Sequence, residues 1–323
     1  MKFIKNIKIS EFRENDRIDD IFFVKFKKGV NTYAKGFYFD LTLADSSGNI
    51  EYKYWGGPDE GRIRNLYESI KPDSIVHVQG KIGEYKGRLQ FTTNEPFLFE
   101  VLKPEQYNDG DFVKVSQRDL EEMYLEILEY IELVENAQIK KLLTTVFHDK
   151  EFENRFKKHP GAIEIHHNWV GGLMEHVLQI LKYCKTSWEI FPLNKDLLIM
   201  GALLHDVGKL EEIQVTSRIK GTNRGQLTGH LILSSVFVSK KCDEFLIDNE
   251  LKDKIMHMIV SHHGKLEYGT VKEPMFPEAL TLYLADESSS KIAEMIEFIE
   301  NARQGTEDDF MFNKRSGKNI LLK

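Results

Sequence analysis

Ten of the eleven histidines lie beyond residue 145. Five groupings stand out, in Ile165-His166-His167-Asn168, Leu173-Met174-Glu175-His176, Leu204-His205-Asp206-Val207-Gly208-Lys209, Gly229-His230-Leu231 and Ser261-His262-His263-Gly264, with Asp286 further on. Neutral imidazole nitrogen and carboxylate oxygen, with no thiolate, are the donors of a catalytic site for manganese, iron(II), cobalt or zinc rather than of structural zinc.

Helical spacing says which way these groups face. Leu173, His176, Val177, Ile180, Leu181 and Cys184 share one apolar face by i, i+3, i+4 repeats. Leu198, Ala202 and His205 share another, with Asp206 beside it, and Ala279, Leu282, Tyr283 and Asp286 a third. Three helices thus turn titratable side chains toward a core, where an unpaired charge costs several kcal/mol. A shared divalent cation satisfies them together. His176, His205, Asp206 and Asp286 make one four-ligand set. His230 and His262 add two ligands for a second ion, with Asp206 bridging. Two such ions a few ångströms apart suit phosphoester hydrolysis, because they lower the pKa of bound water and neutralise the phosphate. Lys209 is placed to stabilise charge on the phosphate oxygens, although a cation there would also suit a helix C-terminus. His166, His167 and His263 read either as substrate contacts or as partners that orient a liganding histidine. His257, alone on its helix, reads as a hydrogen-bonded structural residue.

Two kinds of element carry these groups. Early in the chain Phe37, Phe39, Leu41 and Leu43 alternate with Tyr38, Asp40 and Thr42, the period of a half-buried strand. Asp45-Ser46-Ser47-Gly48 then makes a turn, and Ile50–Trp55 pairs back as a hairpin. Ile75–Gly80 and Leu89–Thr93 flank a Lys86-Gly87 turn. Four or five strands in about 90 residues suggest a small all-β barrel over residues 10–102. The pattern fades over 103–116, which reads as a linker. From Gln117 the period becomes 3.6, and an all-α bundle is expected over 117–315, with breaks at His159-Pro160-Gly161 and Phe191-Pro192.

The motifs around the titratable groups resemble the HD phosphohydrolase superfamily of all-helical, metal-dependent phosphoesterases. His230 and His262 extend the likeness to its two-metal branch. HHNWVGGLMEH, LLIMGALLHDVGK, GQLTGHLILS and IVSHHGKLEYGT are similar to the YhaM-type bacterial exoribonucleases. That resemblance implies a leading OB-fold that grips single-stranded nucleic acid and an HD domain that removes nucleotides from the 3′ end, typically with manganese. It covers most of residues 10–315. One position departs: the family usually carries a second aspartate three residues after the last one, and here Ser289 stands there. In an OB-fold, Trp55, Tyr85, Lys86 and Arg88 are the turn and strand-end candidates for stacking bases and contacting phosphates.

Composition sets outer bounds. The 323 residues are 41% hydrophobic and 29% charged, an ordinary globular balance that suggests two domains. No uncharged apolar run approaches the roughly 20 residues of a membrane helix; Leu231–Ser239 reaches nine. Two cysteines cannot build a disulfide framework, and no secretory signal is apparent, so a cytoplasmic location is expected. The net charge of −7 argues against binding duplex DNA by charge alone. It is uneven: residues 1–103 hold 17 basic and 15 acidic groups, the remainder 27 and 36. The expected activity is metal-dependent 3′-to-5′ hydrolysis of single-stranded RNA, with single-stranded DNA as a further substrate. Alternatives are a phosphodiesterase of small or cyclic dinucleotides and a non-catalytic RNA-binding protein. Self-association is compatible with both domain types, and no membrane partner is expected.

Overall fold

The computed structural model describes residues 2–108, 111–164, 167–303 and 305–323. The chain divides into two compact units, Met1–Lys114 with Val215–Ile219, and Val115–Gln214 with Lys220–Lys323.

The first unit contains β1 (Arg17–Tyr33), β2 (Gly36–Asp45), β3 (Gly48–Trp55), α1 (Glu60–Ser69), β4 (Ile75–Tyr85), β5 (Arg88–Asn94) and β6 (Phe99–Val101). The strands run β1-β2-β3-β5-β4, and β4 pairs back onto β1, so five strands close a barrel, with β6 beside β4. Only β3 and β5 are parallel; the other pairs are antiparallel. With α1 crossing between β3 and β4, this is an OB-like barrel. The alternation in β2 works as the sequence predicts: Phe39, Leu41 and Leu43 are fully buried, and Leu41 and Leu43 pair with Tyr52 and Ile50 of β3. Their neighbour Phe91 meets Phe22 edge-on at 5.7 Å.

β1 was not expected, and its burial explains why. Asp20 to Val24 are all buried, so the run never alternates. Buried Asp20 accepts hydrogen bonds from Lys5 Nζ at 2.9 Å and from the backbone N–H groups of Asn6 and Ile7, fastening the N-terminal segment to the barrel. The unit also reaches past residue 102. Phe112 and Val113 are buried, and Phe112 joins Leu102, Ile21 and Phe23 in a small second core. Within the stretch expected as a linker, Phe112 and Val113 are thus packed, while the other described residues of 103–114 are exposed or half-buried.

The second unit contains α2 (Leu120–Glu132), α3 (Ala137–Phe147), α4 (Lys150–Lys158), α5 (Gly172–Ile190), α6 (Lys195–Leu204), α7 (Lys209–Glu212), α8 (Asn223–Thr228), α9 (His230–Glu244), α10 (Asn249–Ser261) and α11 (Pro277–Arg303). Side chains of Asp119, Asn136, Asp149, Asn194 and Asp248 cap α2, α3, α4, α6 and α10 by accepting from first-turn N–H groups. α6 is buried from Asp196 to Leu204 and forms the middle of the bundle. The unit is not wholly helical. β7 (Ile213–Val215) pairs with β8 (Ile219–Gly221), and β9 (Phe310–Asn313), inside the region expected to be helical up to residue 315, forms a hairpin with β10 (Lys318–Leu321).

Candidate metal centre

The centre is assembled where α6 ends. His205 follows the last residue of that helix and Asp206 the next, so the buried helix delivers both into the core. α5 supplies His176 and α11 supplies Asp286. His230 opens α9, and His262 and His263 leave the end of α10. Gly208 lets α9 come close. A Cβ there would lie 2.3 Å from the His230 carbonyl oxygen, and the Gly208 N–H donates to Ser234 Oγ at 2.8 Å.

Asp206 stands at the middle with its two oxygens facing opposite ways. Oδ2 lies 3.3 Å from His205 Nε2, 3.5 Å from His176 Nε2 and 2.6 Å from Lys209 Nζ. Oδ1 lies 3.6 Å from His230 Nε2 and 3.7 Å from His262 Nε2. Asp286 Oδ1 is 3.1 Å from His176 Nε2. His176, His205 and Asp206 form one group whose ligand atoms could hold an ion, and His230, His262 and His263 form another.

The imidazoles are turned by contacts on their far sides. His205 Nδ1 donates to the Ala202 carbonyl at 3.0 Å, and His262 Nδ1 to the Ile259 carbonyl at 2.6 Å. Glu212 holds His230 twice, accepting from its backbone N–H at 3.0 Å and from Nδ1 at 2.9 Å. His176 Nδ1 donates to Ser289 Oγ at 3.0 Å. A proton on each Nδ1 leaves each Nε2 lone pair facing the centre, the orientation in which imidazole binds a metal. The lone pairs of His176 and His205 oppose one another, their Nε2 atoms 3.4 Å apart, and His263 Nε2 lies 3.1 Å from that of His230. Among the described residues, buried Asp206 Oδ1 and His262 Nε2 have no hydrogen-bond partner. A buried acceptor with no donor is costly. The donor set and these two atoms fit divalent cations.

The charges follow the geometry. Burial works against an ionised Asp206, but Lys209 and His205 outweigh it and hold the carboxyl well below its usual range. Burial likewise opposes the Lys209 ammonium, and Asp206 keeps it protonated. Burial and the neighbouring imidazoles His205 and His263 push His262 down, keeping it neutral and able to donate a lone pair. His176 is drawn the other way: burial lowers it, but the carboxylates of Asp206 and Asp286 raise it. His176, His205 and His262 are buried, whereas His230 and Asp286 retain 20% and 15% side-chain exposure, so the centre opens on their side.

Several expected site residues take more specific places. Lys209 is bound to Asp206 rather than directed into the opening. His167 is 1% exposed, has φ +62°, and packs its ring 5.3 Å from His176 and 5.5 Å from Trp169. His263 joins the His230 group. His257 is structural, accepting from the Met275 N–H at 3.0 Å. His166 lies outside the described residues.

On the barrel, the predicted residues fall into two clusters. Tyr85, Lys86 and Arg88 line a cavity of about 340 Å³ with Glu51, Leu89 and Gln90, and Lys86 Nζ stands 5.3 Å from the Tyr85 ring. Trp55 lies elsewhere, paired in register with Tyr38. The rings of Tyr38 and Tyr33 are each 4.9 Å from Trp55, and Lys53 Nζ lies 4.4 Å and 4.9 Å from the Tyr38 and Trp55 rings. Tyr33, Tyr38 and Lys53 were not anticipated; the β2–β3 register could have found Tyr38 and Lys53, whereas Tyr33 lies on β1, whose pattern is hidden.

Residues 173–290 match the HD domain family, a span that holds every ligand candidate named above. The 3′-5′ exoribonuclease YhaM of Bacillus subtilis is 33% identical over 316 residues, 97% of either chain. The chain belongs to the YhaM family of 3′-5′ exoribonucleases. Among solved structures, the OB domain of Ta0387 from Thermoplasma acidophilum covers 30% of this chain and 85% of its own, at 10% identity and a TM-score of 0.24. The p204 HINb domain covers 30% and 47%, at 16% identity and a TM-score of 0.24. In this YhaM-type chain the two titratable groups meet across one carboxylate, and no helix is long and apolar enough to cross a membrane among the described residues.

Proposed function

We propose that the chain hydrolyses single-stranded RNA stepwise from its 3′ end to nucleoside monophosphates, using two divalent ions, manganese foremost. The observation that carries this reading is the division of Asp206, with Oδ2 facing His176 and His205 and Oδ1 facing His230 and His262. Ions bound on both sides would lower the pKa of a bound water and neutralise the phosphate. The chain's own residues supply the rest. Asp286 completes the His176 side, and His263 the His230 side. Lys209 fixes the rotamer of Asp206 and balances its charge, so its part in catalysis is exerted through that carboxylate. Tyr33, Tyr38, Trp55 and Lys53 offer the strand stacking faces and a cation, with a second contact at Tyr85, Lys86 and Arg88. Stacking reads faces that DNA bases share, so single-stranded DNA falls within the substrate range. The two buried free cysteines suit a reducing cytoplasm.

The test is a time course on 5′-labelled single-stranded RNA with manganese, with and without EDTA. A ladder shortening steadily from the 3′ end, and stopped by EDTA, is expected. Intact RNA beside hydrolysed cyclic dinucleotides would transfer the reading to a small-nucleotide phosphodiesterase.

A further inference from the structure

The segment between His263 and α11 forms a rim that the metal centre does not use. It is fastened at both ends. After His263, the Lys265 N–H donates to the His263 carbonyl at 2.9 Å, and the Tyr268 N–H to the Lys265 carbonyl at 2.9 Å. Further on, Thr270 Oγ1 donates to the Val260 carbonyl at 2.7 Å. Gly264, at φ +78°, lets the rim lie flat on α11, since a Cβ there would fall 2.1 Å from the Tyr283 ring. Tyr283, Glu287 and Lys291 repeat every four residues along that helix, so the face under the rim continues to Lys291.

Tyr268 sits on this rim with 46% of its surface exposed. Lys265 Nζ stands 5.4 Å from its ring centroid and Lys291 Nζ 5.6 Å. One cation comes from the loop and the other from α11, five residues beyond Asp286, or about 7.5 Å along the axis at 1.5 Å per residue. Both ammonium groups lie over an exposed aromatic ring on long, flexible stems; swung off the ring face they leave it to a base and meet the flanking phosphates, the chemistry that holds one nucleotide. It occurs here in a part of the chain with more acidic than basic groups, where a single strand would otherwise be repelled.

We propose that Tyr268 stacks a nucleobase beside the scissile phosphate, with Lys265 and Lys291 holding that nucleotide's phosphates. This rests on the nuclease reading above and extends it: the second unit would carry its own base-binding position. Such a position favours a polymer over a lone phosphodiester, because only a substrate with a neighbouring nucleotide can occupy it.

The experiment uses the full chain and short single-stranded RNAs carrying 2-aminopurine at the terminal, second or third position from the 3′ end. Binding is read in EDTA, where stacking quenches the fluorescence. Quenching at one of the three positions is expected in the unaltered protein, kept in Tyr268→Phe and lost in Tyr268→Ala. With manganese, Tyr268→Ala should raise KM for a five-nucleotide RNA by about 5- to 150-fold, the range of one stacked base. Its kcat should stay within about twofold, and its hydrolysis of bis(p-nitrophenyl) phosphate should be unchanged. Unaltered quenching and KM in Tyr268→Ala would overturn the proposal, as would a Phe variant as impaired as the Ala variant. Failure of the unaltered protein to degrade RNA would instead overturn the nuclease reading, while the quenching in EDTA still decides the role of Tyr268.

Discussion

Ser289 Oγ accepts a hydrogen bond from His176 Nδ1–H at 3.0 Å and donates its own to Gln179 Oε1 at 2.7 Å. This hydroxyl stands where the family resemblance leads one to expect a carboxylate. It still fixes the tautomer, but it brings no charge. Removing a partner of this kind typically costs 10- to 100-fold in metal affinity. Ser289→Ala should therefore raise the manganese concentration for half-maximal activity by about tenfold or more. Ser289→Asp should lower it, because a carboxylate makes the imidazole more basic. Superimposable manganese titrations of all three proteins would show that the Gln179-Ser289 chain does not tune the centre.

Asp206 touches both halves of the site, so its loss should disable both. Asp206→Ala also strips a buried ammonium of its partner, at a cost of about 3–5 kcal/mol; Asp206→Asn leaves Lys209 an acceptor and is the cleaner variant. His205→Ala and Asp206→Asn should each lower RNA hydrolysis on the order of a thousandfold. Both should bind single-stranded RNA within about twofold of the unaltered protein if strand capture belongs to the barrel. Filter binding and bound-metal analysis check the two halves of this expectation. Retained activity in both variants would sink the ligand assignment.

On the barrel, Trp55 is in ring contact with both Tyr33 and Tyr38. Trp55→Ala should weaken binding of a long RNA by about 5- to 150-fold, the range of one stacked base. Hydrolysis of a dinucleotide, too short to need capture, should be unaffected. Equal losses on both substrates would mean that these rings support the barrel rather than the strand.

The clustering of His176, His205, Asp206 and Asp286 was legible because helical spacing fixes which side chains share a face. His176 on α5 and Asp286 on α11 lie within long regular helices, where i, i+3, i+4 counting holds. His262 and His263 sit just where α10 stops, so spacing could not choose between them. Nothing local marks Gln179, whose part depends on a contact 110 residues away. β1 was hidden because continuous burial from Asp20 to Val24 erases alternation. Tyr38 could be read as outward-facing, but its partnership with Trp55 is a matter of strand register. The C-terminal hairpin is obscured by exposed Phe310, Met311 and Phe312, which show no buried face.

His159 gives the fold a pH dependence that does not involve the metal ligands. Its Nε2 donates to the Lys209 carbonyl at 2.6 Å. Burial pulls its pKa from 6.5 down to about 4, with that hydrogen bond offsetting only part of the effect. Between those values the unfolded chain binds a proton that the folded chain refuses. Stability therefore rises with pH across this window and falls as pH drops from 6.5 toward 4. One depressed histidine predicts a loss of about 2 kcal/mol between pH 7 and pH 5. His159→Gln places an amide donor near the same carbonyl and cannot titrate. Urea unfolding at the two pH values should show the variant losing about 2 kcal/mol less than the unaltered protein. Equal losses would mean that other groups set the acid sensitivity, and that His159 takes up its proton without unfolding.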